Sequence, residues 1–264
     1  MCGPSGLTII AVTVSGMQNL IKHKKLPGLS IVFPCYNDAG TIGSLVLLAH
    51  RVGEWISDDY EVIVVDDMST DNSRAILEEL SASLSRLRVI HHEVNKGYGG
   101  ALKTGFAAAQ KDFIFYTDGD GQYDVLELVR LAEFMSEGVH LVNGYKVNRA
   151  DNWSRRLIGF CYNKLVRMAF GIRIRDVDCD FRMMRRSIFE KVKLESDTGL
   201  ICTELIKKVQ DQGFVIVEVP VHHFPRLYGS SQFFTVSHVS RSLLALLGYW
   251  WKTYRAGELG GRSR

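Results

Sequence analysis

The chain has 264 residues, of which 46% are hydrophobic and 23% charged, and its net charge at pH 7 is +3. That length and balance suit one large α/β domain with enough apolar side chains for a core. The small net charge argues against a nucleic-acid protein held by a broad basic surface, so no nucleic-acid partner is expected. Five cysteines (Cys2, Cys35, Cys161, Cys179 and Cys202) are odd in number and form no CxxC pair. This argues against a disulfide framework or a zinc site and points to a reducing, cytoplasmic setting. No apolar run reaches the roughly 18 residues expected of a membrane-spanning helix.

Leu7 to Val14 is apolar but follows no basic residue, so it makes a poor signal peptide. Residues 1–28 read as an N-terminal extension, either disordered or lying upstream of a start at Met17. From Leu29 onward, strand and helix patterns alternate. Leu29-Ser-Ile-Val-Phe33 reads as a buried strand ended by Pro34, and Ala39 to Gly53 carries Ile42, Leu45, Val46 and Ala49 at helical spacing, with Thr41 or Asp38 as cap. Glu61 to Val65 reads as a second strand stopping at Asp66-Asp67. The next helix, capped by Ser69 or Asp71, turns Ile76, Leu77 and Leu80 inward. Leu87 to Ile90 is a third strand, Gly97 opens a helix running through Ala109, and Phe113 to Tyr116 is a fourth strand leading into Asp118. After Gly144 the repetition weakens. Trp153 to Phe170 reads as a helix, Phe181 to Arg185 as a strand, Thr203 to Gln212 as a helix, and Gly213 to Val219 as a strand stopped by Pro220.

This alternation predicts a Rossmann-like, doubly wound, mostly parallel sheet in a single domain. Ligands of such sheets sit beyond the carboxyl ends of the strands. Three strands end there on polar groups: Tyr36-Asn37-Asp38, Asp66-Asp67 and Asp118-Gly-Asp120, which should converge on one rim. Two carboxylates one residue apart can bind one hard divalent cation, Mg²⁺ or Mn²⁺, together with substrate phosphates. Glycines 119 and 121 let the backbone bend and leave room for a ligand. Gln122 could orient a phosphate or the metal shell. Alone, Asp118-Gly-Asp120 reads more readily as a solvated turn, and its place at a strand end beside other acids is what favours the metal. Asp66 or Asp67 could accept from a base or ribose while the other braces the loop. Asn95 to Gly100 does not fit GxGxxG, which leaves Lys96 as a candidate contact to donor or phosphate.

Ser30-Ile-Val-Phe-Pro34-Cys-Tyr36-Asn37, Val65-Asp66-Asp67-Met-Ser69-Thr-Asp71, Asn95-Lys96-Gly97 and Asp118-Gly-Asp120-Gly-Gln122 resemble, in order and spacing, the motifs of family 2 glycosyltransferases with the GT-A fold. Asp178-Cys-Asp180-Phe-Arg182, Glu204-Leu205, Glu218-Val-Pro220-Val221 and Arg226-Leu-Tyr-Gly229-Ser-Ser231 are similar to its dolichol-phosphate mannosyltransferase-like branch. The resemblance covers about residues 29–234, the implied GT-A domain. It implies that Pro34, Tyr36, Asp38 and Asp66 form the nucleoside-binding edge, with Asp38 standing where many relatives have Glu. It implies that Asp118 and Asp120 hold the metal beside Gln122, and that Arg226 and Ser231 close over the donor diphosphate. Lys146, with Arg155 or Arg156, falls near positions that bind the acceptor phosphate; Lys146 departs from the commoner Arg, whose fork a point charge does not reproduce.

The implied activity is transfer of a hexose-type sugar from a nucleotide sugar, GDP-mannose or a UDP-sugar, to a polyprenyl (dolichyl or undecaprenyl) phosphate. A lipid phosphate is already an anion, so it needs positioning and charge screening more than a strong base. Inversion at the anomeric carbon and a β-linked product are expected. The alternative is a family 2 enzyme acting on a soluble saccharide or natural-product acceptor, with Asp178 or Asp180 as base. Those two aspartates read equally as structural partners of Arg182, and His222 and His223 as packed side chains. In residues 235–264, Val236, Val239, Leu243, Leu246, Leu247, Trp250 and Tyr254 fall at helical spacing with Arg241, Lys252 and Arg255 alongside. Such an amphipathic helix either packs on its own domain or contacts a membrane surface or an integral membrane partner. That would place the protein peripherally, on the cytoplasmic face.

Overall fold

The computed structural model describes residues 25–147, 153–226, 228 and 245–251, without the side chains of 153–158. Leu-Ser-Ile-Val-Phe-Pro-Cys is buried along its whole length and forms β1 (Leu29–Cys35). In chain order there follow α1 (Ile42–Ile56), β2 (Tyr60–Asp66), α2 (Ser73–Ser83), β3 (Leu87–His91), α3 (Gly97–Ala108), β4 (Phe113–Thr117), α4 (Leu128–Phe134), β5 (Leu141–Val147), α5 (Trp153–Phe170), β6 (Phe181–Arg185), α6 (Leu200–Asp211) and β7 (Ile216–His222). The strands form one seven-stranded sheet in the order β3-β2-β1-β4-β6-β5-β7. Only β6 runs against its neighbours; the other pairs, β1–β2, β1–β4, β2–β3 and β5–β7, are parallel.

Strand residues alternate between two cores because successive side chains leave opposite faces of a sheet. Ile31, Phe33, Val62 and Val64 enter the core beneath α1, α2 and α4, whereas Val32, Ile63 and Val65 enter the core beneath α3, α5 and α6. The chain winds outward from β1 through β2 to β3, then returns to the other side of β1 as β4. The carboxyl ends of β1 and β4 therefore flank the reversal point, where an open α/β sheet leaves its ligand crevice.

Several expectations shift. β1 runs through Pro34 to Cys35 instead of ending at Phe33. Cys35 O accepts from Asp67 N on the β2 side while Gly28 O accepts from Phe113 N on the β4 side, so even-numbered residues of β1 face β4. Paired register with β4 ends at Val32, and the N–H that Pro34 lacks points where no ladder remains. β7 likewise continues through Pro220 to His222, which an edge strand tolerates. β5 is an element to which the sequence pattern assigned nothing. A Cβ at Gly144 would lie 2.9 Å from Cys179 Sγ, Phe181 O and Val221 Cγ2, so the glycine is there for close approach. At the amino end, Leu26 is already buried and bridges Ser57. Residues 245–251 are helical and Tyr249 packs on Phe170 with ring centres 5.4 Å apart. Val236, Val239, Leu243 and Tyr254 of the C-terminal series lie outside the described residues.

Candidate functional site

The three polar strand ends do converge, and hydrogen bonds interlock them. Asn37, in a left-handed conformation (φ 58°) that Asn tolerates, accepts on Oδ1 from Thr70 N at 2.7 Å and from Asp71 N at 3.2 Å. Its own N–H donates to Ser69 Oγ, and Asp38 N donates to Ser73 Oγ, both at 3.0 Å. Asp71 accepts from Ser73 N and from Ala39 N, so it serves α2 and the first loop together. Thr41, expected as a cap, sends its hydroxyl to Gly119 O at 2.6 Å and so ties the start of α1 to the acidic turn. That turn is tight. Gly121 has φ 73°, and a Cβ at Gly119 would lie 2.7 Å from Pro34 O and 3.1 Å from Asp38 Oδ2.

Within this frame Asp118 and Asp120 follow β4, and Asp38 stands across from them. Asp120 is buried; its Oδ1 accepts from Gln122 N at 2.9 Å and its Oδ2 from Arg226 Nη2 at 2.6 Å. Asp118 Oδ1 accepts from the Tyr98 hydroxyl at 2.7 Å. Burial, then the charges of Asp180 and Asp120, push the Asp118 carboxyl well above the usual range. Burial also lifts Asp38 to about 6, with the Asp120 charge raising it further and Arg226 pulling the other way. These carboxylates thus oppose one another's ionisation, and a bound cation would relieve that repulsion. Among the described residues no three His, Cys, Asp or Glu side chains make a ready cage. A carboxylate pair with all-oxygen donors suits a hard cation that completes its shell with phosphate oxygens and water.

Beyond the ends of β1 and β2, Tyr36 is exposed and Asp66 is buried with both oxygens engaged, Oδ1 by Ser69 N at 3.0 Å and Oδ2 by His91 Nδ1 at 2.8 Å. Burial pushes the Asp66 carboxyl up, but the Ser69 and His91 hydrogen bonds outweigh it and hold it below its ordinary value. Asp67 is the loop brace. It accepts from Lys96 N and Gly97 N, both at 2.8 Å, and from His92 Nδ1 at 2.7 Å. The Lys96 side chain lies exposed beside Gly100. Gln122 Nε2 donates to Phe224 O at 3.1 Å, tying the acidic turn to the segment after β7.

On the other side of the crevice, Lys146 Nζ donates to Asp178 O, and its charge acts on both Asp118 and Asp178. Burial lifts Asp178 to about 6 against the pull of Lys146, with Asp176 raising it further. Asp180 accepts from Cys202 Sγ at 2.8 Å and lies 3.9 Å from Arg182, which is fully buried. Arg182 donates to Asn143 Oδ1, Tyr116 and Val177 O, so it props the acidic wall from behind. His222 is held by Glu127 at 2.6 Å and His223 packs edge-on against Tyr123. The backbone of Arg155 and Arg156 lies in the first turn of α5, but their side chains, and all of Ser231, fall outside the described residues. Tyr98, His91 and His92 carried no spacing signal and Thr41 only that of a helix cap; contacts between distant segments reveal their part in the site.

An acidic crevice at the reversal point of a doubly wound sheet is where α/β enzymes of this architecture bind their ligands. The glycosyl transferase family 2 model matches residues 30–193, and the chain belongs to that family. It is a glycosyltransferase with the GT-A fold. Among solved structures, glucosyl-3-phosphoglycerate synthase from Mycobacterium tuberculosis with Mn²⁺, UDP and glucosyl-3-phosphoglycerate superposes with TM-score 0.65 at 20% identity, over 85% of this chain and 80% of that one. The same enzyme with Mn²⁺ and UDP-glucose gives TM-score 0.65 at 20% identity, over 85% and 79%. Mannosyl-3-phosphoglycerate synthase from Rubrobacter xylanophilus gives 0.63 at 17%, over 90% and 77%. At these identities the likeness speaks to the fold.

Proposed function

We propose that this protein moves a hexose-type sugar, with inversion, from a nucleoside diphosphate sugar to a polyprenyl phosphate, working peripherally at an anionic membrane surface. Asp118 and Asp120 would hold Mg²⁺ or Mn²⁺, which supplies charge neutralisation for the departing diphosphate. The Mn²⁺ and UDP-glucose held by the structural neighbour support the donor half of this reading. Tyr36, Asp38 and Asp66 form the nucleoside edge, with Pro34 setting its floor against Gly119; Lys96, Arg226 and Ser231 are assigned to the donor phosphates. Gln122 holds the turn in place. Lys146, with Arg155 and Arg156, is assigned to the acceptor phosphate on the far side of the crevice.

The observation that carries the lipid acceptor is the surface of α5. Phe160, Leu165 and Met168 are 62%, 54% and 74% exposed, and with Lys164 and Cys161 they occupy one face of the helix. From Trp153 to Arg175 the chain has six basic residues (Arg155, Arg156, Lys164, Arg167, Arg173 and Arg175) and no Asp or Glu. Arg175 pairs with Glu218 at 4.0 Å, but exposed apolar side chains on a segment whose own charges are all basic still suit an anionic lipid interface. The opposite face of α5 reaches the site, where Asn163 Nδ2 donates to Asp176, the residue that also accepts from Lys146 N. Trp251, beside α5 in the helical segment 245–251, is likewise exposed. Among the described residues no helix is long and apolar enough to cross a membrane.

A soluble acceptor is the second reading, and the comparisons favour it: the structural neighbours act on phosphoglycerate. An attacking hydroxyl needs a base, and Asp178, lifted to about 6, is suited to that work. The discriminating test replaces two exposed side chains, Phe160→Glu with Met168→Glu. Flotation on anionic vesicles and turnover of a vesicle-borne polyprenyl phosphate should fall at least ~10-fold with an unchanged melting temperature, as expected when buried apolar contact with lipid is lost. Unchanged flotation and turnover would overturn the lipid reading. An α-linked product by NMR would overturn inversion.

A further inference from the structure

Tyr98 has no role in the chemistry above, yet its hydroxyl reaches a carboxylate assigned to the metal. The geometry points to Tyr98 as a positioning residue that fixes the Asp118 carboxylate for the cation; this inference rests on the metal site proposed above. Tyr98 sits in the first turn of α3, between two clamps. Before it, Lys96 N and Gly97 N both donate to Asp67, which His92 holds from behind while its own Nε2 meets Thr104 Oγ1 at 2.9 Å. After it, Gly99 N donates to Asp197 O at 3.0 Å.

Neither neighbour of Tyr98 tolerates a side chain. A Cβ at Gly97, where φ is 77°, would lie 2.5 Å from Asp197 O, and one at Gly99 would lie 2.4 Å from Ser196 O. Those carbonyls belong to a loop that is itself pinned. Glu204 accepts from Glu195 N at 3.0 Å and Ser196 N at 2.9 Å, and Lys103 pairs with Asp197 at 2.6 Å. The backbone of Tyr98 therefore cannot slide, and its partly buried ring packs on the core beneath α3. Its hydroxyl arrives at a fixed point 2.7 Å from Asp118 Oδ1, and among the described residues no hydrogen bond falls on Oδ2. One carboxylate oxygen is thus held by protein while the other faces the site. Partners that orient a metal-binding carboxylate in this way commonly tune affinity for the metal.

The test uses the full chain and Mn²⁺ alone, read by the electron paramagnetic resonance of the free ion, for the wild type, Tyr98→Phe and Asp120→Asn. Tyr98→Phe keeps the ring and removes only the hydroxyl. Its Mn²⁺ dissociation constant should rise roughly 10-fold, with an unchanged melting temperature. In a transfer assay KM for Mn²⁺ should rise while kcat at saturating Mn²⁺ stays within about twofold, a split that a general loss of structure would not produce. Should Asp120→Asn abolish binding while Tyr98→Phe binds as the wild type does, the positioning role is overturned and the metal site stands. Should Asp120→Asn bind Mn²⁺ unchanged, the metal site falls, and the role of Tyr98 falls with it.

Discussion

Gly119→Ala tests whether the acidic turn is as tightly seated on β1 as its geometry requires. The added Cβ would lie 2.7 Å from Pro34 O and 3.1 Å from Asp38 Oδ2. Pro34 belongs to the backbone of a central strand, so it cannot swing away as a side-chain tip would. The turn must move instead, which strains the bond from Thr41 to Gly119 O and displaces Asp120 relative to Arg226. Overpacking of this kind costs ~1–3 kcal/mol. For a chain of this size that corresponds to a fall in melting temperature of roughly 2–4 °C per kcal/mol. Sugar transfer should suffer more, since misplacing catalytic groups by about 1 Å can cost ~100-fold. Gly248→Ala is the control, because a Cβ there meets nothing within 4 Å. Scanning calorimetry and a metal-dependent transfer assay read both. A Gly119→Ala protein that melts and turns over like Gly248→Ala would refute the close seating of the turn.

Arg182→Met should destabilise the chain by ~3–5 kcal/mol, because it removes a buried cation and strands Asn143 Oδ1, Val177 O and Asp180; the urea midpoint measures this. Asp178 is held at about 6, above its unfolded value near 3.9. The folded chain therefore binds this proton more tightly, so the cost of the carboxylate is absent below about pH 4 and grows as pH rises through 6. Asp178→Asn should accordingly raise the melting temperature relative to wild type more at pH 7.5 than at pH 4.5, by an effect on the order of 1–3 kcal/mol; equal gains at both pH values would contradict the assignment. Glu127→Gln weakens the hold on His222 that joins α4's leading turn to the end of β7, and should cost ~1 kcal/mol by thermal melting.

How much of this was legible in the sequence depended on whether the information was local. β1, β2 and β4 are apolar runs that lead into polar segments holding Asp38, Asp66 and Asp118, so both their existence and their shared rim could be read from residue order. β5 went unassigned because its Asn143-Gly144 carries no apolar alternation, and only the close approach of Cys179, Phe181 and Val221 explains the glycine. Pro34 and Pro220 looked like stops because a sequence does not say whether the N–H that each proline lacks would have been needed by a neighbouring strand. Asp118, Asp120 and Asp38 stood out by type and position. Tyr98 did not, since its meaning lies in a 20-residue jump to Asp118, and Arg182 looked like an ordinary strand cation until burial and its three partners gave it a place. The apolar face of α5 was present in the sequence as Phe160, Leu165 and Met168, but only packing separates residues left outside from those, such as Val166 and Phe170, drawn in.

The proposed transfer of sugar at the Asp118–Asp120 crevice to a phosphate carried on a lipid can be observed directly. The most direct measurement incubates the full-length protein and Asp120→Ala with Mn²⁺, GDP-mannose or UDP-glucose, and either a short polyprenyl phosphate in anionic vesicles or phosphoglycerate, and reads products by mass spectrometry. The wild type should yield a hexosyl polyprenyl phosphate with one of the donors, absent with Asp120→Ala. A product formed only on the soluble acceptor, or lipid product formed equally by Asp120→Ala, would contradict the proposal.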